Sequence, residues 1–372
     1  MNLTECQSYG ILSEEEYTMP TYYDGTKLLS LLDINGDKPE IYLCTTNRSG
    51  GKTTYFNRLV VRRFLKGQGK FCLLYRYSYE LDDVAGKFFK DIQTLFFPEY
   101  TMRAEKRSRG VYQELFLCKA ADEEDKGISC GYAVSLNSAD MIKKLSHFFS
   151  DVSCMLMDEF QSETNNYCSN EITKFKSIHN SIARGQGEQS RYVPVFMLSN
   201  PVTLLNPYYI GFGIAGRLQE NTKFLRGVGW VMEQGFVESA SNALKASAFN
   251  RAFVDDGYLQ YATEGVYLND NKAFVEKPEG IGKYLATLRF RGKDYGLRLY
   301  SEQGIVYCDD HPDQTFPDRY AITTSDFTVN FVMLKTNDFF FQTLRYYFNH
   351  GCFRFKGLQE KEAIITALGY RD

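Results

Sequence analysis

No two cysteines in the 372 residues stand at C-x-x-C spacing, and the four histidines (His147, His179, His311, His350) fall at no metal-ligand interval. A metal centre built on cysteine pairs is therefore excluded. No apolar run reaches the roughly 18 residues a membrane helix needs. Met1-Asn2-Leu3-Thr4-Glu5 shows neither a basic region nor an apolar core, so the start does not read as a secretory signal. Together these absences predict a cytosolic chain without a membrane span. Net charge is scarce too: 43 basic against 46 acidic residues leave −3. No global field draws such a protein to nucleic acid or to an anionic membrane, and any such contact has to come from local patches. Tryptophan occurs once, and no internal repeat or low-complexity tract is visible.

What the chain does have is the makings of a large core. Hydrophobic residues at 44% with 24% charged describe a folded chain, and the length suggests about two to three domains. The nine cysteines are scattered, several inside apolar strand-like runs, where they act as small hydrophobes in a reducing compartment. Aromatics are high at 15%, mostly Phe and Tyr. Many belong to the core, and a surplus suits contact between subunits or stacking surfaces.

The most informative stretch runs from Ile41 to Thr54: an apolar run, a small-residue turn, then Gly50-Gly51-Lys52-Thr53 at the start of a helical pattern. A strand, a Gly-rich loop and a helix N-terminus in that order cradle phosphates. Backbone N–H groups and the helix dipole hold them, Lys52 reaches between them, and the Thr53 hydroxyl ligates Mg²⁺. Asn47, Arg48, Ser49, Gly50, Gly51 and Thr54 complete the candidate nucleotide-binding loop. The pattern usually begins with Gly, where this chain has Thr46.

Downstream, Phe56, Leu59, Val60 and Phe64 recur at helical spacing, Phe71 to Tyr75 reads as a buried strand, and Leu81 to Phe97 as a helix. This β-α-β-α alternation predicts a parallel sheet flanked by helices. Apolar pieces at 111–117 and 132–136 read as strands. Cys154-Met155-Leu156-Met157 ends in Asp158-Glu159, and Val193 to Leu198 ends in Ser199-Asn200-Pro201. From Asn206-Pro207 to about 236 the pattern is Gly-rich and irregular. Residues 237–278 read as a linker or lid with a helical piece from Ala240 to Phe253. From Gly282 the alternation predicts antiparallel hairpins, and Asp338 to Phe348 a helix. The expected division is 1–236, 237–278 and 279–372.

Hydrolysis needs more than a cradle. Asp158, at the exposed end of a buried strand, is placed to hold Mg²⁺, and Glu159 beside it to activate water. Small polar residues at the tip of the next strand, Ser199 and Asn200, are suited to sensing the γ-phosphate, though Asn-Pro also reads as a plain turn. Arg184 opens a loop after a helical pattern and is a candidate arginine finger toward a neighbouring subunit, with Arg191 its rival in the same loop. Local basic groups (Arg103, Lys106, Arg107, Arg109; Lys283, Arg289, Arg291, Lys293, Arg298; Arg354, Lys356) offer phosphate contacts that would sum round a ring.

An ordered set of motifs carries a resemblance. It comprises Thr46 to Thr53; Leu74-Tyr75-Arg76-Tyr77 with Glu80-Leu81; Met157-Asp158-Glu159-Phe160; and Leu198-Ser199-Asn200-Pro201 with Asn206-Pro207-Tyr208. It continues through Gly304-Ile305-Val306-Tyr307, Thr323-Thr324-Ser325-Asp326 and Phe353-Arg354-Phe355. The chain resembles the DNA-encapsidation ATPases of small tailed bacteriophages, the podovirus branch of the terminase large-subunit ATPases, over about residues 39–356.

The resemblance implies an α/β fold: an ASCE-type P-loop ATPase domain with a central, mainly parallel sheet, and a smaller α+β RNase H-like C-terminal domain. It implies ATP and Mg²⁺ as cofactors, Lys52 and Thr53 as phosphate-loop residues, Asp158 as the Mg²⁺ ligand and Glu159 as the catalytic carboxylate. Ser199-Asn200 become the coupling motif and Arg184 the finger acting in trans. It further implies a homo-oligomeric ring, usually of five subunits, docked on the phage portal in the host cytoplasm and pushing double-stranded DNA into a procapsid. Whether a structural RNA joins the ring is not implied either way. The expected C-terminal domain is a vestigial nuclease used for docking and DNA contact, because the strand Tyr284 to Phe290 carries no acid and Asp309, Asp310 and Asp313 sit in a turn-like stretch. An endonuclease-bearing terminase and a nucleotide-gated assembly module without turnover are the alternatives.

Overall fold

A computed structural model describes residues 22–369 except 123, 165, 186, 188, 205, 215–216, 219–221, 253–261 and 263–276. A short helix α1 (Thr26–Ser30) precedes β1 (Ile41–Thr45), α2 (Lys52–Leu65), β2 (Lys70–Tyr75) and α3 (Val84–Phe96). Then come β3 (Tyr100–Arg107), β4 (Tyr112–Lys119), β5 (Ile128–Ser135), α4 (Ala139–Lys144), β6 (Val152–Met157), α5 (Glu171–Ile182) and β7 (Val195–Ser199). The first part closes with α6 (Pro207–Gly211), β8 (Phe224–Gly227), β9 (Trp230–Gln234), α7 (Glu238–Ala246) and α8 (Ala248–Arg251).

These strands form one sheet in the order β3-β4-β5-β2-β6-β7-β1-β9-β8. The six strands from β5 to β9 are parallel, and the pairs β3–β4, β4–β5 and β8–β9 are antiparallel. The inner strands are apolar throughout because helices cover both faces. Alternation divides them: Tyr42, Cys44, Phe71, Leu73, Leu156 and Phe196 pack under α2 and α3. Leu43, Cys72, Leu74, Met155, Met157 and Met197 pack with α5 and α6. The hairpin β8–β9 lies in the stretch that reads as irregular from sequence. Its strands are short: Trp230–Gln234 pairs with β1 on one side and with Phe224–Gly227 on the other, and Phe224–Gly227 closes the edge.

The second sheet contains β10 (Lys283–Phe290), β11 (Lys293–Tyr300), β12 (Ile305–Asp309), β13 (Arg319–Ala321), β14 (Val332–Met333) and β15 (Phe353–Phe355), in the order β14-β13-β10-β11-β12-β15. Helices α9 (Phe339–Asn349) and α10 (Leu358–Leu368) accompany it. The expected antiparallel hairpins account for β10–β11–β12 alone. β13 pairs parallel to β10, β14 to β13 and β15 to β12, because the long connections between them return the chain in the same direction. A meander extended by parallel strands beside its first member is the RNase H-like arrangement. Its core is continuous with the α5–α6 side of the first sheet, and Lys361 donates to the Leu218 carbonyl at 2.9 Å. Within the stretch expected as a linker, α7 and α8 are formed; most of 253–276 lies outside the described residues.

Candidate active site

β1, β7 and β6 lie side by side, so their C-terminal ends bring three chemically distinct tips together. The loop after β1 turns through left-handed conformations at Ser49 (φ 60°) and Gly51 (φ 89°) before α2 begins at Lys52. Thr46, where the pattern usually has Gly, is not among the residues with positive φ. It therefore needs no glycine. The room for its side chain comes from Gly235, where a Cβ would meet the Thr46 methyl at 3.1 Å.

Lys52 is buried and donates to Asn200 Oδ1 at 2.6 Å. Burial holds its ammonium below the ordinary lysine range, and Asp158 pulls it back. Asp158 sits half-buried in a concave position. Desolvation lifts its carboxyl, opposed by Lys52, by a hydrogen bond from Thr53, and by the Glu159 N–H at 2.9 Å. Glu159 adopts φ 54°, in the left-handed region, and its carboxyl is raised by desolvation and then by Asp158 and Glu163. A cavity of about 360 Å³ runs past Thr53, Asp158 and Glu159 to the ends of β2 and β6. The Asp158 carboxylate beside the Thr53 hydroxyl offers oxygen ligands that fit Mg²⁺, and Lys52 at the helix start fits the phosphates bound with it.

Other loop residues are committed elsewhere. Arg48 pairs with Glu163. The Asn47 side chain turns away from the phosphate side and bonds the Val237 backbone. Ser199 is 1% exposed, and its hydroxyl donates to the Asn200 carbonyl at 2.5 Å. Of Ser199 and Asn200, Asn200 is thus the one whose side chain faces the loop.

Two buried networks shape the site; the sequence motifs contain Arg76, Phe160 and Tyr208 but not their partners Glu171, Gln161 and Tyr209. Arg76, at the end of β2, donates from Nε to both carboxylate oxygens of Glu171 at 3.0 Å and from Nη2 to the Phe160 carbonyl at 2.8 Å. Glu171 also accepts from Tyr208 at 2.9 Å. Gln161 accepts from the Val202 and Thr203 N–H groups and donates to Tyr209, whose hydroxyl shares a 2.9 Å bond with Thr45. The strand ends are thereby locked in register below the reacting groups. Sequence offers one hint: Asn206 stands between Leu205 and Pro207, a polar residue between apolar ones.

Arg184 and Arg191 separate clearly. Arg191 donates to the carbonyls of Val152 (3.0 Å) and Ile182 (2.8 Å), so it pins the loop. Arg184 is exposed. Helix α5 starts at Glu171 beside the site and runs about 18 Å to the N-terminal ends of the strands, so Arg184 stands far from its own Lys52.

The basic groups are largely cancelled by partners. Arg103 pairs with Glu105, Arg107 with Glu114 (2.8 Å), Lys106 with Asp82 (3.3 Å) and Arg291 with Glu362 (2.9 Å). Arg289 holds Asp294 (2.6 Å), Arg298 holds Asp309 (2.5 Å) and Lys356 holds Asp310 (2.5 Å). Among the described residues no three His, Cys, Asp or Glu side chains form a metal-holding group, and no helix is long and apolar enough to cross a membrane.

One intervening strand between the phosphate-loop strand and the Asp-Glu strand defines an ASCE-type P-loop fold. Joined to an RNase H-like sheet, it is the architecture of terminase-type DNA-packaging ATPases. A family model described as podovirus DNA encapsidation protein (Gp16) matches residues 20–368, and the chain belongs to that family. It is similar to the DNA packaging protein of Bacillus phage phi29, 23% identical over 317 residues that cover 83% of this chain and 87% of the relative. The DNA packaging protein of Bacillus phage B103 is 22% identical over 290 residues, 77% of this chain and 83% of the relative. In fold it is similar to a chain of the bacteriophage phi29 viral genome packaging motor assembly, with TM-score 0.53, 22% identity and coverage of 91% of this chain and 95% of that one.

Proposed function

We propose that this protein is an ATP-hydrolysing motor subunit that assembles as a ring, of five copies, on a phage portal in the host cytoplasm and drives double-stranded DNA into a procapsid. The observation that carries this reading is the convergence of Lys52, Asn200, Asp158 and Glu159 at three adjacent strand ends, in a chain of a DNA-encapsidation family. Lys52, Thr53 and the loop amides from Arg48 to Thr54 would hold the phosphates, and Thr53 with Asp158 the Mg²⁺, which supplies charge neutralisation at the phosphates. Glu159 accepts the proton of the attacking water; its raised carboxyl makes it a better base than an ordinary glutamate. Asn200 takes the place of a sensor, because its amide oxygen already holds the Lys52 ammonium.

Arg184 serves a neighbouring subunit. Its exposure and its distance from its own loop support a reach toward a second copy's nucleotide, while Arg191 is spent on loop carbonyls. The second sheet supports docking rather than cleavage: Asp309 and Asp310 are each held by a cation, and Asp313 caps Thr315. The test is ATPase rate against oligomeric state, measured by light scattering with and without double-stranded DNA. Turnover that rises with ring formation and DNA supports the reading; equal turnover in monomer and ring overturns the trans assignment.

A further inference from the structure

Asn47 lies within the phosphate loop yet is wholly buried, and both ends of its amide are bonded to one residue outside the loop. Nδ2 donates to the Val237 carbonyl at 3.0 Å, and Oδ1 accepts from the Val237 N–H at 2.9 Å. The side chain thus imitates one rung of a β-ladder, 190 residues away in sequence. Two further contacts fall on the same short segment. The Gly235 N–H donates to the Thr45 carbonyl at 2.8 Å, and a Cβ on Gly50 would meet Val237 Cγ2 at 2.8 Å. Val237 is the residue on which α7 begins. Its backbone is therefore fixed from the loop side immediately before the linker helix.

We propose that Asn47 is a positioning residue that locks the phosphate loop to the first turn of α7, so that phosphate binding at the loop is transmitted to the start of the linker. This rests on the nucleotide reading of the loop. The side chain does not itself touch phosphate. Loop and linker move as one piece because the two bonds share a single amide group and exclude water. Any tightening of residues 47–51 around an anion is then felt at Val237 without passing through the coupling strand.

The test is amide hydrogen exchange of the full chain, with and without Mg-ADP, in wild type, Asn47→Leu and Asn47→Asp. Leu is close in shape and removes both bonds; Asp keeps the acceptor for the Val237 N–H and loses the donor to its carbonyl. In wild type, Mg-ADP is expected to slow exchange across 235–241. In Asn47→Leu those amides should exchange about tenfold faster without nucleotide and no longer respond to it, while α3 and the second sheet keep wild-type rates. Should Asn47→Leu fail to fold, Asn47→Asp carries the comparison, with a smaller acceleration in the same segment. A general stabilising role would instead speed exchange everywhere, and that result overturns the proposal. So does wild-type protection of Val237 in either variant. Fluorescent-ADP titration separates the two levels. If wild type binds no nucleotide, the reading of the loop fails and transmission fails with it. If it binds while 235–241 does not respond, transmission alone is refuted.

Discussion

The ammonium of Lys52 donates to Asn200 Oδ1 at 2.6 Å, linking the start of α2 to the tip of β7. A buried cation held by a neutral amide on another strand is an arrangement in which phosphate competes for the same donor. Loss of the amide in Asn200→Ala is expected to lower kcat on the order of thirtyfold, an effect of about 2 kcal/mol, with a smaller change in nucleotide affinity. Steady-state kinetics beside a binding titration checks this split.

Glu159 carries a carboxyl raised by desolvation and by Asp158. A carboxyl whose folded value lies above its unfolded one binds protons more tightly when folded, so its contribution to stability falls as pH rises through the folded value. Glu159→Gln is therefore expected to melt higher than wild type above that value. The difference should fade as pH drops toward the ordinary carboxylate range. The acid limb of wild-type kcat/KM should likewise lie above the usual glutamate range. Thermal melts and pH-rate profiles report the two effects separately.

Arg76 and Glu171 form a buried pair whose other bonds run to Phe160 and Tyr208. Glu171→Gln leaves the guanidinium without its counter-charge in the interior. The expected cost is about 3–5 kcal/mol, visible as a lower urea midpoint, with Tyr208→Phe costing about 1 kcal/mol.

Arg191→Ala removes two carbonyl contacts and is expected to destabilise by about 1–3 kcal/mol. Arg184→Ala should change the melt by less than about 0.5 kcal/mol, yet stop turnover in the ring. Mixing Arg184→Ala with Glu159→Gln protomers should restore part of the activity, since each supplies what its neighbour lacks.

The pairing of Arg289, Arg291, Arg298 and Lys356 with acids reduces the positive charge one subunit offers to phosphates. Single protomers are expected to bind duplex DNA with a log–log salt slope below about 3, whereas rings bind with a steeper one. Filter binding at several salt concentrations measures both.

The alternation of apolar runs and helical spacing makes the phosphate-loop sheet legible in sequence, since strands buried on both faces have to be apolar throughout. The three strand tips follow from it, because Asp158 and Asn200 each end such a run. Strand partners are less visible. Trp230–Gln234 becomes a strand by lying between β1 and β8, and Arg319–Ala321 is too short to show any period. Long-range polar bonds are hidden for the same reason. Asn47 reads as one more loop residue, and nothing near it in sequence points to Val237. Basic clusters mislead in the opposite direction: Arg298 and Asp309 are eleven residues apart but meet across a hairpin.

The most direct test is Mg²⁺-dependent ATP hydrolysis by the purified chain with duplex DNA, compared between wild type and Glu159→Gln. DNA-stimulated turnover in wild type, with a loss of at least about a hundredfold in Glu159→Gln at retained nucleotide binding, is the expected result. Turnover that survives the substitution would contradict the assignment of Glu159 and the hydrolytic reading built on it.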